Sequence, residues 1–260
     1  MTLSKVKCFL LDMDGTFYLG GRIIPGSLEF IRALENTGRS YLFLTNNSSH
    51  NAQFYQKRLE GMGLSVPLER ILTSGSATAA LIRERYAGKR AFVLGNEYLL
   101  AEFEEAGVPI DQQNPDLVVI GYDTTLDYKK MTAVCDFVRA GLPYVATHPD
   151  FNCPTETGFA PDIGAIMAFI EASTGRRPEL IVGKPHAEIV NAALKRTGST
   201  REETAMVGDR LYTDIAAGQK QGLFSILVLT GETKQEDLAA SDIKPDLVLD
   251  RLADLVPSLS

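Results

Sequence analysis

Asp12 and Asp14 stand two residues apart in the run Asp12-Met13-Asp14-Gly15-Thr16. An extended backbone turns both carboxylates to one face, and Gly15 permits an unusual turn directly after them. Like charges held in one small volume, with a metal nearby, push their pKa values apart. One carboxylate can then stay ionised as a nucleophile while the other carries a proton. Spacing alone does not say which does which. Three further polar groups of complementary kinds follow: Thr45 with Asn46, Lys184, and Asp209 with Asp214. A phosphoryl-transfer site needs a nucleophile, a proton donor, a cation against the developing charge and donors that hold the phosphate oxygens in line. Lys184 offers a point charge to a phosphate, and Thr45 and Asn46 offer hydrogen bonds from side chain and backbone. Asp12, Asp209 and the main-chain carbonyl of Asp14 form an oxygen ligand set for a hard divalent cation, with Mg²⁺ the expected cofactor. Asp214 is expected to orient Lys184 or a metal-bound water.

Each group has a plainer reading by itself. An Asp-x-Asp-Gly run also suits a turn or an ion-binding loop, but a calcium loop is excluded. Its sixth position from Asp12 is Phe17 rather than Gly, and its twelfth is Ile23 rather than Glu. Thr45-Asn46-Asn47 and Gly208-Asp209 suit turns, and a lysine before Pro185 suits a surface. What sets the combination apart is that all four groups follow apolar runs that read as buried strands, and ligands of open parallel sheets bind at the carboxyl ends of strands.

Those runs cover residues 6–11, 41–44, 181–182 and 205–207. A helix closing near Gly38, another over 51–61 and a strand at 71–73 make the first 75 residues alternate as a doubly wound parallel sheet requires. From 76 to 178 the alternation restarts, with strands at 91–94, 117–120 and 144–146 and helices near 77–86, 97–106, 128–140 and 162–173. The expected organisation is an α/β core from residues 1–75 plus 179–260, with 76–178 as an inserted α/β domain. Strands at 226–229 and 247–249 complete the core. Within the insertion, Thr147-His148-Pro149-Asp150-Phe151-Asn152-Cys153-Pro154 is the densest polar loop. His148, Asp150 and Asn152 are its candidate substrate-specificity residues, while His50 and His186 read as structural or surface residues.

A chain of 260 residues can bury a core without disulfides or a structural metal, and 45% hydrophobic with 23% charged residues is ordinary for a globular protein. A formal net charge of -7 argues against nucleic acid as a partner. Cys8, Cys135 and Cys153 are odd in number and widely spaced, so neither a disulfide framework nor a Cys-x-x-Cys metal site is readable, and a reducing cytoplasm is the expected compartment. Asp12 cuts the first apolar run short of a signal segment, and no run nears ~18 apolar residues, so no membrane association is expected.

Taken together, the sequence resembles the haloacid dehalogenase superfamily. Asp12 to Thr16 is similar to its first motif, Thr45-Asn46 to its second, Lys184 to its third, and Gly208-Asp209-Arg210-Leu211-Tyr212-Thr213-Asp214 to its fourth. An insertion between the second and third motifs resembles the subgroup with an α/β C2-type cap, subfamily IIA, which holds 4-nitrophenyl phosphatase-like and nucleotide phosphatase-like enzymes. The resemblance implies a Rossmann-like core and a magnesium-dependent phosphatase of small phosphomonoesters, of the sugar phosphate, nucleoside monophosphate or 4-nitrophenyl phosphate type. It makes Asp12 the nucleophile that forms an aspartyl-phosphate and Asp14 the general acid and then base. Thr45, Asn46 and Lys184 become phosphate binders, and Asp12, Asp14 and Asp209 hold the metal. Members often pair as homodimers through the cap. A phosphomutase and a non-catalytic phosphate-ligand sensor are the alternatives; the complete aspartate set disfavours the sensor, and the large cap disfavours the mutase.

Overall fold

The structure is a computed structural model and describes residues 2–155 and 157–259. Strands β1 (Cys8–Leu11), β2 (Tyr18–Leu19) and β3 (Arg22–Ile23) are followed by α1 (Ser27–Asn36), β4 (Ser40–Thr45), α2 (Ala52–Gly61), β5 (Ile71–Thr73) and α3 (Ser74–Arg85). Next come β6 (Ala91–Leu94), α4 (Glu97–Glu105), β7 (Leu117–Ile120), α5 (Tyr128–Arg139), β8 (Tyr144–Ala146), β9 (Asn152–Thr155), β10 (Gly158–Pro161) and α6 (Ile163–Thr174). The chain ends with β11 (Leu180–Ile181), α7 (Ala187–Thr197), β12 (Thr204–Gly208), α8 (Ala216–Gln221), β13 (Phe224–Val228), α9 (Gln235–Ala240) and β14 (Leu247–Leu249). Contacts divide it into two compact units, the first comprising Met1–Thr45, Tyr55–Leu72 and Lys184–Ser260, the second Asn46–Phe54 and Thr73–Gly183.

The first unit is built on a six-stranded sheet of order β14-β13-β12-β1-β4-β5. β1 lies in parallel between β12 and β4, with Leu11 level with Val207 on one side and Phe43 on the other. All four residues of β1 and all five of β12 are buried, as expected of parallel strands covered on both faces. Helix α1 buries Phe30, Ile31 and Leu34, one stripe at helical spacing, and Phe30 meets Phe9 of β1 edge to face at 5.7 Å. The chain runs from β1 outward through β4 to β5, then returns to the other side of β1 with β12, β13 and β14. The order therefore reverses between β1 and β12, which is where an open α/β sheet forms its ligand crevice.

The second unit has its own parallel sheet, of order β11-β8-β7-β6. Helices α5 and α6 pack on it through Met131, Val134, Val138, Ile163, Ile166 and Ile170. The α5 N-terminus is capped by Asp127, whose carboxylate accepts from Lys130 N at 2.7 Å. One expectation is corrected here. Residues 152–154 are not loop but half of an antiparallel ribbon, in which Cys153 faces Ala160. Pro154 and Pro161 and the absence of an apolar alternation hide such a ribbon, because its two strands are exposed and bury no face. The tight β2–β3 hairpin, two residues per strand, is too short to leave an alternation in the sequence. Among the described residues no helix is long and apolar enough to cross a membrane.

Candidate active site

β1 delivers Asp12 to the reversal point. Its backbone N–H still donates to Val207 O of β12 at 2.9 Å, so the residue is held in the sheet while its side chain leaves it. The next turn is tight: Phe17 N donates to Met13 O at 2.9 Å and Gly15 N to Tyr18 O at 2.7 Å. Gly15 adopts φ +88°, and a Cβ there would lie 2.4 Å from a carboxylate oxygen of Asp209. Only glycine meets both demands. Thr230 Oγ1 donates to Gly15 O at 2.5 Å and ties the turn to the far side of the sheet.

β12 ends at Gly208 and places Asp209 beside Asp12. The Asp209 carboxylate accepts from Glu232 N at 2.7 Å and from Thr16 Oγ1 at 3.2 Å. A five-residue π turn, Leu211–Ile215, follows and carries Asp214 inward, where its carboxylate accepts from Arg210 N at 3.1 Å. Such turns add a residue to a helical segment and re-aim a side chain, which accounts for a buried aspartate one turn after Asp209.

Lys184 is only 2% exposed, and its ammonium lies 2.5 Å from an Asp12 oxygen and 2.7 Å from an Asp214 oxygen, while also donating to Leu44 O of β4 at 3.1 Å. The cation is thus held by three elements of the first unit. Burial alone draws a lysine pKa down, but Asp12 and Asp214 outweigh it, so Lys184 ends above its ordinary value and stays charged. Burial pushes the Asp12 carboxyl up; Lys184 draws it back and Asp214 and Asp209 push it up again, leaving it above the usual carboxylate range. Burial and Asp214 raise Asp209 against the Glu232 N–H.

Carboxylate oxygens of Asp12, Asp209 and Asp214 lie within 4.8 Å of one another. The Lys184 ammonium stands against the cluster, and the Arg210 guanidinium acts on Asp12 and Asp209 as well. The cluster's donors are all hard oxygens, which fits a small divalent cation and not a soft one. Asp14, on the exposed side of the turn, accepts from Gly20 N at 3.4 Å. Partial desolvation raises its pKa, opposed by that N–H and by Arg58 and Arg210.

Of the predicted residues, the first unit brings together Asp12, Lys184, Asp209 and Asp214, with Thr45 as the buried last residue of β4. Asn46, the next residue, belongs to the second unit, as do His148, Asp150 and Asn152. There the Asn46 amide donates to both oxygens of Asp150, at 3.3 and 3.2 Å. His148 is fully buried, with Nε2 3.0 Å from Asp162 and Nδ1 3.2 Å from Thr147 Oγ1. Asn152 stands exposed on β9. Sequence reasoning left out Thr16 and the Glu232 amide, both of which hold Asp209. Thr16 could have been singled out by its place directly after the Gly15 turn, whereas a main-chain donor leaves no mark in a sequence.

A buried lysine set among aspartates at the reversal point of a doubly wound sheet is an arrangement that could offer an ammonium to an anion and hard oxygens to a cation. The haloacid dehalogenase-like hydrolase model matches residues 9–109, and a second HAD-hydrolase-like model matches residues 181–255. The solved 4-nitrophenylphosphatase of Thermotoga maritima is 48% identical, with 99% of each chain covered and a TM-score of 0.97. The 5'-nucleotidase YutF of Bacillus subtilis is 35% identical, with 98% of this chain and 99% of that protein covered. The acid sugar phosphatase of Staphylococcus haemolyticus is 36% identical over 94% of this chain and 92% of its own. The chain belongs to the haloacid dehalogenase-like hydrolases, and it is a phosphatase of that family.

Proposed function

We propose that the protein is a magnesium-dependent phosphatase of small phosphomonoesters that works through an aspartyl-phosphate on Asp12. The observation that carries this reading is the Lys184 ammonium set between Asp12 and the fully buried Asp214, at the carboxyl end of β1. An Asp12 oxygen attacks phosphorus as the bond to the leaving oxygen breaks, and Asp14 passes its proton to that oxygen, releasing the alcohol. A water then attacks the phosphorus of the aspartyl-phosphate and gives a proton to Asp14. Inorganic phosphate leaves, and the Asp12 carboxylate is restored. Lys184 and the hydrogen-bond donors of Thr45 and Asn46 hold the phosphoryl oxygens. Asp214 keeps Lys184 charged and aimed. Asp12, Asp209 and the Asp14 carbonyl would hold Mg²⁺, which when bound supplies positive charge against the phosphoryl oxygens.

Relatives named for nucleotide, sugar phosphate and 4-nitrophenyl phosphate hydrolysis support a small phosphate ester as substrate here. The inserted residues 76–178 act as the cap that discriminates among leaving groups. The cytoplasm suits Cys8, Cys135 and Cys153, none of which forms a disulfide among the described residues, and pairing of two copies through the cap follows from the resemblance alone. The test is phosphate release from 4-nitrophenyl phosphate, nucleoside monophosphates, sugar phosphates and pyridoxal phosphate, with and without Mg²⁺, for the wild type and Asp12→Asn. Turnover that needs the metal and vanishes in the variant is expected. No turnover on any ester sinks the phosphatase reading and favours a mutase or a sensor.

A further inference from the structure

We infer that Asp150 is a positioning residue for Asn46, setting which end of the Asn46 amide is presented to a phosphate, and is not a reader of the leaving group. The inference rests on the proposed role of Asn46 in phosphate binding. An asparagine amide has two ends of nearly equal shape and opposite chemistry, so its direction is set by its partners. An ionised carboxylate only accepts. With both Asp150 oxygens 3.2–3.3 Å from Asn46 Nδ2, the NH₂ end must turn that way, and the carbonyl end lies on the opposite side. There it packs against Gly183, where a Cβ would come 2.7 Å from Asn46 Oδ1. Ser74 Oγ donates to the Asn46 main-chain carbonyl, so backbone and both ends of the side chain are all held.

Asp150 is itself rigidly placed. It is 6% exposed, and its carbonyl accepts from Gly164 N in the first turn of α6 at 2.7 Å. The residue two before it, His148, is fixed by the buried contact to Asp162, whose carboxylate also caps α6 by accepting from Ile163 N at 2.7 Å. A carboxylate built into the interior by these contacts has the character of a support. A leaving-group reader needs reach to a varied ligand. Reversal of the Asn46 amide would turn its carbonyl oxygen toward the Asp150 carboxylate in place of a donor, so Asp150 opposes that reversal.

Asp150→Asn keeps the shape but lets residue 150 both donate and accept, so either amide direction becomes tolerable. A lost hydrogen bond to a charged group weakens binding by roughly 10- to 100-fold. We expect that loss in the affinity for inorganic phosphate, measured calorimetrically with Mg²⁺ present, and the same factor in kcat/KM for every ester, with their ranking unchanged. Asp150→Glu, which still only accepts, should recover part of it. In an Asn46→Ala background Asp150→Asn should add nothing, since the residue acts through Asn46. The inference is overturned if phosphate affinity is unchanged while the ester ranking shifts, or if the two substitutions lose affinity independently. It is overturned too if Asp150→Glu and Asp150→Asn are equally poor although both melt like the wild type. A wild type that neither binds phosphate nor turns over any ester removes the phosphatase reading and this inference together, a result distinct from an active wild type indifferent to Asp150→Asn.

Discussion

Replacing Lys184 by methionine tests how the core cluster is held, because it keeps the side chain's length and removes its charge. Lys184 touches Asp12, whose side chain is 14% exposed, Asp214, whose side chain is 0% exposed, and the carbonyl of Leu44. Deleting one partner of a buried ion pair costs about 3–5 kcal/mol, since it leaves a buried charge uncompensated. Here two carboxylates lose their cation, which points to the upper part of that range. At about 2–4 °C per kcal/mol for a chain approaching this size, the melting temperature should fall by roughly 10–20 °C. The pH dependence fixes the cause. Asp12 and Asp209 already sit above the ordinary carboxylate value in the fold, and losing Lys184 raises Asp12 further. Groups raised in the folded state bind protons more tightly there than when unfolded, so the penalty is absent below about pH 4, the unfolded value, and grows as pH rises through the folded values. Scanning calorimetry in EDTA at pH 5 and pH 8 should show the larger deficit at pH 8. An equal deficit at both values, or a variant as stable as the wild type at pH 8, refutes the electrostatic account.

Two further outcomes follow from the same kind of reasoning. Glu102 of α4 is buried and accepts from Thr73 Oγ1 at 2.6 Å at the N-terminus of α3, so Glu102→Ala should cost about 1–2 kcal/mol in urea unfolding and Glu102→Gln less. A Glu102→Ala protein within error of the wild type would refute a capping role. Mg²⁺ should raise the melting temperature of the wild type, by about 2.7 kcal/mol of stabilisation at a hundred times its Kd, and Asp209→Asn should abolish most of that gain. A shift that persists undiminished in Asp209→Asn would place the ion elsewhere.

What could be read from the chain depended on how a residue's environment is written. β1 and β12 were legible because strands buried on both faces are unbroken apolar runs, and the polar residue that ends each run stands out against them. That pattern picks out Asp12 and Asp209, whereas Lys184 follows β11, a half-buried two-residue strand of the second sheet. Asp214 was placed as a support for Lys184, and the structure sets its oxygen 2.7 Å from that ammonium. The π turn that brings it there was not legible, because a single added residue in a helical segment alters no hydrophobic period. The loop after β8 shows the opposite limit. Its polar composition marks His148, Asp150 and Asn152 alike, yet the first two are buried and bonded to Asp162 and Asn46, residues 14 and 104 positions away, while Asn152 is exposed. Composition says that a polar residue needs a partner; whether that partner is water, substrate or another side chain is settled only by which segments the fold brings together. For Asp150 one partner is the amide of Asn46, and on the inference drawn above a residue that looks like a ligand contact in the sequence serves as part of the frame that holds another.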